Sequence, residues 1–455
     1  MTYFAFLLLF AAALFGYALN LRAARHIRDG GQRLHSLGGF HGGYAFLLVL
    51  VPCFILLVLW IALQNGVVDR LVMAGLPEGA LAGTNPALIL SEIRSLAGGR
   101  VFGTPEPWKI EAAERMTTLR AQATNLMFVV VTALALALLV LSRRSVSADF
   151  RARQGVERIV LGLMIFCSVV AVFTTIGIIL ALVFETWRFF QMVPVTEFLF
   201  GTRWEPQIPI RADQIAAEGA FGWIPVLLGT LVITFVALFI AVPIGLMSAI
   251  YLNEFASRRF RKIAKPVLEI LAGVPTVVYG FFAILVVAPA IRSLGAQLGL
   301  PIAPNTALAA GSVMGIMLIP FISSFADDAL SAVPRSLRDG ALALGATRAE
   351  TVLNVLFPAA IPGIVGGVLL AVSRAIGETM IVVMAAGLMA RMTINPLDSV
   401  TTITVQIVTL LIGDTSFDSP KTLAAFALGF MLFIVTLCIN VAALRIVRKY
   451  RELYD

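Results

Sequence analysis

Long apolar runs alternate with short polar segments along the whole chain. A helix needs about 20 apolar residues to cross the hydrocarbon core of a bilayer. The runs that meet this length number nine and lie at 2–21, 44–64, 125–142, 158–186, 222–251, 266–291, 306–326, 359–387 and 421–445. The first run lacks the basic start and small-residue cleavage site of a signal peptide, since no Lys or Arg precedes Arg22. We therefore predict that it is a retained span.

The composition agrees with a membrane protein. Hydrophobic residues make up 59% of the 455 residues and charged residues only 13%, whereas a soluble domain carries about 25% charged residues. The net charge of +8 would suit nucleic acid, but Lys and Arg collect in the cytoplasmic loops of membrane proteins. We predict an all-α polytopic membrane protein that contacts lipid and no nucleic acid.

Positive charges gather in every second loop, and this asymmetry predicts the orientation. Loops 22–43, 143–158 and 252–265 and the C-terminal tail are rich in Lys and Arg, whereas loop 187–221 is acidic or balanced. We predict a periplasmic N-terminus and a cytoplasmic C-terminus.

The spans also divide into two regions. Residues 1–142 hold three spans and a long outer loop, 65–124, and residues 158–455 hold six spans without a clear internal repeat.

A long cytoplasmic segment at 327–358 is too polar to span a membrane and too rich in helix formers to be a flexible linker. We predict two short amphipathic helices joined at Gly345, and a break at Pro358 before the eighth span. The apolar stripe on these helices needs a partner, which is this chain's own spans, another protein or the bilayer surface. Its members are Leu342, Leu344, Val352, Leu353 and Leu356.

The eighth predicted span carries charge, which is costly inside a bilayer. Arg374 and Glu378 lie four residues apart, so a continuous helix would place them one turn apart on one face. They form either a structural ion pair or part of a translocation path, flanked by Ser373 and Thr379. Arg presents a planar fork suited to bidentate recognition of an oxyanion such as phosphate, and Glu378 would then hold the Arg374 guanidinium in position.

Small residues and proline mark further features. The break at Gly273 and Pro275, together with Gly280, gives hinge candidates in the sixth span, although such residues often only kink membrane helices. Two pairs of glycines have the four-residue spacing typical of close helix packing, within the chain or against a second subunit. They are Gly311 with Gly315 and Gly363 with Gly367. Glu269 is predicted to be an interfacial carboxylate one turn inside the sixth span.

The 327–358 segment resembles the EAA loop of bacterial ABC importer permeases. The match consists of Asp339-Gly340-Ala341, three residues, Gly345, nine residues, and Val355-Leu356-Phe357-Pro358. It departs from the family pattern by Asp for Glu, Gly for the first Ala, Val for Ile and Phe for Leu. The resemblance implies a coupling helix that docks on a cytoplasmic ATPase. The residues implied in coupling are Asp339, Gly340, Ala341, Gly345, Ala346, Thr347 and Pro358.

Three further stretches resemble phosphate importer permeases of the PstC type: Phe198–Pro206, Lys265–Gly280 and Arg374–Met380. The resemblance implies a six-helix MetI-like core in the inner membrane that moves phosphate from periplasm to cytoplasm by alternating access. It also implies a PstA-like second permease, two PstB-like ATPases that hold ATP and Mg²⁺, and a PstS-like periplasmic binding protein. Residues 1–142 have no counterpart in the shorter PstC proteins.

Other classes of function fit the residues less well. No Gly-x-x-x-x-Gly-Lys-Ser/Thr motif is present, so we expect no ATP hydrolysis and no cofactor on this chain. His26, His35 and His41 share one loop without thiols or a carboxylate-rich motif, and we predict a solvated loop there rather than a metal site. The alternatives that stay open are a permease for another oxyanion or phosphonate and an ion-coupled secondary transporter. A membrane enzyme is disfavoured because no catalytic motif is visible.

Overall fold

A computed structural model describes residues 2–77, 86–100, 106–206, 219–412 and 418–451. Parts of the predicted outer loop 65–124, and the charges Arg211, Asp213 and Glu218 of loop 187–221, lie outside these residues. Within the described residues, nine helices are long and apolar enough to cross a membrane, which confirms the all-α polytopic fold. The chain forms two compact units, Met1–Thr174 and Thr175–Asp455.

The first unit is built from long helices. They are α1 (Thr2–Asp29), α2 (Gly38–Met73), α3 (Pro86–Ala97), α4 (Pro107–Arg144) and the start of α5 (Ala152–Met192). Helices α1, α2 and α4 pack around buried Leu9, Val49, Leu57 and Val131. At 1.5 Å per residue, the 36 residues of α2 span about 54 Å, well beyond the roughly 30 Å of hydrocarbon.

The excess length of α2 and α4 supports a second small core. Val68 at the end of α2, Ile89 and Ile93 on α3 and Met116 on α4 are buried together in one cluster. The described part of the predicted loop 65–124 is therefore a packed helical cluster rather than an open loop.

The second unit contains the remaining elements. They are α6 (Val195–Phe200), β1 (Trp204–Glu205), β2 (Ala220–Phe221), α7 (Ile224–Ile250), α8 (Arg258–Ala272), α9 (Thr276–Phe282), α10 (Ala288–Gln297), α11 (Ala307–Ala332), α12 (Arg335–Ala343), α13 (Arg348–Thr351), α14 (Phe357–Ile376), α15 (Met380–Ala385), α16 (Ile403–Leu411) and α17 (Pro420–Arg451). Strands β1 and β2 are antiparallel, with Trp204 opposite Phe221. Short π-helical turns occupy Tyr251–Phe255, Ala283–Val287 and Val352–Leu356.

Helix α11 lies at the centre of this unit and packs closely on α7 and α14. A Cβ on Gly311 would lie 2.7 Å from Val236, and a Cβ on Gly367 would lie 2.5 Å from Phe325. Gly315 and Gly363 are equally close to α7 and α11, respectively. The spacing of these glycines correctly predicted close helix packing, and the partner helices belong to the same chain.

Two helix boundaries differ from the prediction. Pro358 does not break the helix, because it lies in the first turn of α14 and the π-helical turn Val352–Leu356 joins α13 to α14 without an interruption. A π-helical turn shifts the backbone hydrogen-bond register, which accommodates the missing N–H of Pro358. The sixth membrane-spanning helix begins at Thr276. Glu269 therefore lies on the preceding helix α8, outside the span in which it was predicted.

The Phe198–Pro206 stretch forms part of an aromatic core. Phe198 and Trp204 are buried in one cluster with Phe221, and the Trp204 indole N–H donates to the Gln406 side-chain oxygen at 2.9 Å. Two backbone segments are in close contact at Gly201, where an added Cβ would lie 2.7 Å from the Gly222 Cα. This motif therefore carries a structural role.

Candidate functional site

Most of the predicted functional residues lie in two segments, the helical loop α12–α13 and the segment from Ser373 to Met380. Gly345 joins α12 to α13 with a φ of +92°, a left-handed conformation that favours glycine. Thr347 caps α13 in a capping box, since its Oγ1 accepts the Glu350 N–H and the Glu350 carboxylate accepts the Thr347 N–H at 2.8 Å. The two predicted helices and their glycine joint are confirmed.

The apolar stripe on this loop divides into two sets. Val352 and Leu356 are buried against Ala249, Ala326 and Leu330 of the chain's own helices. Leu342, Leu344 and Leu353 point outward, and Leu344 is 92% exposed. Asp339 and Gly340 are exposed as well. The loop is thus fixed to its own spans at one end and presents an apolar surface with a carboxylate at the other.

The Arg374–Glu378 segment is not one helical face, and this part of the prediction is wrong. Helix α14 ends at Ile376, and Gly377 forms its C-cap. Glu378 lies in the connection to α15, so the spacing of four residues no longer places it over Arg374. The ion pairs among the described residues do not include Arg374 with Glu378.

Arg374 is exposed on the last turn of α14. Its guanidinium carbon lies 5.6 Å from the centre of the Phe321 ring on α11. The Phe325 ring packs edge-on against Phe321, with 4.8 Å between ring centres. A cation over an aromatic face is held weakly compared with a buried ion pair. The guanidinium therefore keeps its hydrogen-bond donors available to an anion.

Glu378 serves the neighbouring helix. Its carboxylate is buried and accepts the backbone N–H groups of Met380 at 3.1 Å and Ile381 at 3.4 Å. These N–H groups lie in the first turn of α15, where no intrahelical acceptor exists. The Thr404 hydroxyl donates to the Glu378 backbone carbonyl at 2.9 Å. Glu378 therefore caps α15 and fixes it to α16.

The two remaining residues of the predicted path, Ser373 and Thr379, form hydrogen bonds within this chain. The Ser373 hydroxyl donates to the Asn440 side-chain oxygen on α17 at 2.9 Å, which links α14 to α17. The Thr379 hydroxyl lies 3.5 Å from the Gly377 carbonyl. Asn440 is exposed and was missed in the sequence, although a polar amide in the last apolar run is itself a signal.

The hinge candidates flank a real interruption between helices. Gly273 ends α8 and Pro275 precedes the first residue of α9. Gly280 packs so closely on α15 that an added Cβ would lie 2.5 Å from the Met384 sulfur and 3.3 Å from the Met380 carbonyl. The break and the close approach of α9 to α15 are both present; whether α9 moves at this break stays a prediction.

The three histidines do not share one solvated loop. His41 lies in α2, is 1% exposed and packs against Phe150 at 5.8 Å between ring centres, because α2 begins earlier than the apolar run alone indicated. Among the residues that the structure describes, no group of three His, Cys, Asp or Glu side chains is placed to hold a metal ion.

Sequence reasoning also missed a buried carboxylate, Asp327, near the C-terminal end of α11. It accepts hydrogen bonds from Asn253, Arg261 and Lys265 at 2.7 to 2.8 Å. The sequence does contain a signal for this site, namely a carboxylate directly after an apolar run and basic residues in the preceding loop. The pairing itself could not be predicted, because the partners of Asp327 are 62 to 74 residues away in sequence.

Comparisons with known proteins agree with these features. Residues 6–174 match a family described as phosphate ATP-binding cassette transporter. Residues 241–452 match the binding-protein-dependent transport system inner membrane component family. The chain is 33% identical over 274 residues to the phosphate transport system permease protein PstC of Xylella fastidiosa, which covers 55% of this chain and 80% of that protein.

Other relatives give similar values. The chain is 33% identical to PstC 1 of Mycobacterium tuberculosis, over 55% of this chain and 81% of that protein. It is 34% identical to the probable ABC transporter permease protein YqgH of Bacillus subtilis, over 53% of this chain and 74% of that protein. A solved structure of the MetNI methionine ABC transporter matches 50% of this chain and 94% of that chain, with a TM-score of 0.38 and 21% identity.

Proposed function

This chain belongs to the PstC-type permease family of ABC transporters, and we propose that it forms one half of a pathway that carries inorganic phosphate from the periplasm to the cytoplasm. The family membership and the nine apolar helices make it a multi-pass inner-membrane protein. Import by alternating access, a periplasmic N-terminus and a cytoplasmic C-terminus are parts of the proposal.

The exposed Arg374 is the observation that carries the proposal. It lies 17 residues beyond the start of α14, which is about 25 Å along the helix axis and therefore far from the cytoplasmic loop. A charged side chain facing hydrocarbon costs at least about 2.5 kcal/mol. In the assembled transporter this face must therefore meet water or protein. Among the residues that the structure describes, no carboxylate pairs with this guanidinium, which suits a phosphate in transit.

A second permease half completes the path. Arg374, Ser373 and Thr379 line this chain's share of the route. Glu378 contributes indirectly, because it caps α15 and so fixes the connection that begins next to Arg374. A PstA-like permease would cover the face, and a PstS-like protein would deliver phosphate from the periplasm.

The exposed half of the α12–α13 stripe supports a separate ATPase partner. Leu342, Leu344 and Leu353 form an apolar surface beside exposed Asp339. We place ATP and Mg²⁺ on two PstB-like subunits that bind this surface and the matching surface of the second permease. The chain itself then performs no covalent chemistry.

Uptake of radiolabelled phosphate into vesicles that hold the assembled complex tests the proposal. Arg374→Ala should reduce ATP-driven uptake at least tenfold, while the variant still inserts and assembles. Arg374→Lys should retain part of the uptake, since the charge stays but the planar fork is lost. Undiminished uptake by Arg374→Ala would remove Arg374 from the path.

The same vesicles separate the alternatives. An excess of unlabelled sulfate or a phosphonate should leave phosphate uptake unchanged, and strong competition would instead indicate a permease for that oxyanion. Uptake that persists without ATP but requires a proton gradient would indicate an ion-coupled transporter.

A further inference from the structure

An ion pair connects the cytoplasmic loop to the spans. The Arg338 guanidinium on α12 lies 2.9 Å from the Glu254 carboxylate. Glu254 belongs to the π-helical turn that follows α7, and its side chain is only 6% exposed, whereas the Arg338 side chain is 37% exposed. Single π-helical turns are frequent at functional sites. Since α12 has no buried residue of its own, this pair is its principal polar attachment to the helix bundle.

The residue before Glu254 continues the connection. The Asn253 amide donates to Asp327 Oδ1 at 2.7 Å. Asp327 also accepts from Arg261 at 2.8 Å and from Lys265 at 2.8 Å, both on α8. The Asp327 side chain is 7% exposed, and its hydrogen bond with Lys265 raises the pKa of that lysine. Three segments, the end of α7, α8 and α11, are thereby fixed to one carboxylate.

Helix α8 ends at the Gly273–Pro275 break, and one hydrogen bond crosses that break. The Tyr279 hydroxyl on α9 donates to the Leu271 carbonyl on α8 at 2.7 Å. Gly280, next to Tyr279, packs against Met380 and Met384 of α15. Helix α15 is the helix that Glu378 caps. These contacts, together with the stretches of backbone between them, therefore connect α12 to the segment that carries Arg374.

We propose that Glu254 and Asp327 are positioning residues that transmit movement of α12 to α8 and α9, an inference that rests on the proposed function. A buried carboxylate that loses its partner is strongly disfavoured, so Glu254 follows Arg338 when α12 moves. Asp327 makes the end of α7, α8 and α11 move as one body, and the glycine and proline at the break let α9 turn relative to α8.

Charge reversal tests the first step of this transmission. Glu254→Arg and Arg338→Glu should each reduce ATP-driven phosphate uptake at least tenfold while ATP hydrolysis by the assembled complex continues. The double variant, Glu254→Arg with Arg338→Glu, should restore at least a third of the uptake. Glu157→Gln, which breaks the exposed Arg153–Glu157 pair, is the matched control and should leave uptake unchanged.

A distance measurement makes the test independent of the substrate. Spin labels at exposed Ser336 on α12 and Val278 on α9 would report the distance between these helices with and without ATP. The complex with native Glu254 should show an ATP-dependent change, Glu254→Arg should not, and the double variant should show it again. If the wild-type complex moved no phosphate but showed this pattern, the proposed function would fail and the coupling role would stand.

Two results would overturn the inference. The first is normal uptake and a normal ATP-dependent distance change in both single variants. The second is a double variant as defective as the single ones, because Glu254 would then matter for its own local fold and not for its pairing with Arg338.

Discussion

The charged side chains near the two ends of α14 differ in burial and in pairing. Near its N-terminal end, Asp327 and Glu254 are buried. Asp327 accepts hydrogen bonds from Asn, Arg and Lys side chains, and Glu254 forms an ion pair with Arg338. At its other end, Arg374 is exposed and lies over an aromatic ring, and no carboxylate in the described part of the chain pairs with it. Buried paired carboxylates hold helices together, whereas an exposed unpaired cation is free to bind an external anion. Stability measurements should therefore separate the two regions.

The largest loss of stability is expected from Asp327→Ala. The variant leaves Asn253, Arg261 and Lys265 without their shared acceptor, and breaking a buried pair costs about 3–5 kcal/mol. Because Arg261 and Lys265 are more than a third exposed, we expect the lower part, about 3 kcal/mol. Thermal unfolding of the purified protein in detergent measures it. Asp328→Asn, at a 69% exposed side chain, should change little, and equal unfolding temperatures for both variants would contradict the buried role of Asp327.

The contact between α14 and α11 joins the two regions, and Gly367→Ala tests it. The added methyl would lie 2.5 Å from the Phe325 Cβ, and overpacking of this kind costs about 1–3 kcal/mol. Gly366→Ala on the same helix meets Val447 only at 3.4 Å and is the control. The same unfolding measurement applies, and a Gly367→Ala protein as stable as the control would show that α11 and α14 are less closely packed.

A smaller effect is expected at Glu378. Glu378→Ala removes the acceptor for the Met380 and Ile381 N–H groups, and loss of a helix cap costs about 1 kcal/mol. Glu378→Gln keeps an oxygen acceptor and should be closer to wild type. If Glu378→Gln were as destabilised as Glu378→Ala, the negative charge rather than the cap would be required.

The smallest effect on stability is expected at the exposed surface of the α12–α13 loop. Leu344→Ser should leave the unfolding temperature unchanged, since Leu344 is 92% exposed, but it should weaken copurification of the ATPase severalfold. Val352→Ser, at a 3% exposed side chain, should instead lower the unfolding temperature. Normal ATPase binding by Leu344→Ser would mean that another surface of the chain binds the ATPase.

Hydropathy and spacing predicted the parts of the molecule that depend on local sequence. The length of each apolar run predicted the spans, the four-residue glycine spacing predicted the close packing on α11, and Gly345 predicted the joint between α12 and α13. These features follow from a local physical requirement, such as bilayer thickness or a left-handed backbone conformation.

Features that depend on tertiary contacts were missed or predicted wrongly. Helix α14 ends before Gly377. The spacing from Arg374 to Glu378 therefore does not place the two side chains on one helical face. Pro358 was expected to break the helix, but the π-helical turn before it keeps the helix continuous. Asp327 and its partners are brought together only by the fold.

Phosphate occupancy beside Arg374 can be measured as protection of a nearby thiol. In the assembled transporter, with Cys53, Cys167 and Cys438 replaced by Ser, the variant Thr379→Cys keeps the Arg374 guanidinium and places a thiol in the same segment. It would be treated with a charged thiol reagent, with and without phosphate. We expect the thiol to react, and we expect millimolar phosphate, but not sulfate, to slow the reaction through occupancy of the adjoining path. A thiol that does not react, or one whose rate ignores phosphate, would contradict the proposed phosphate path.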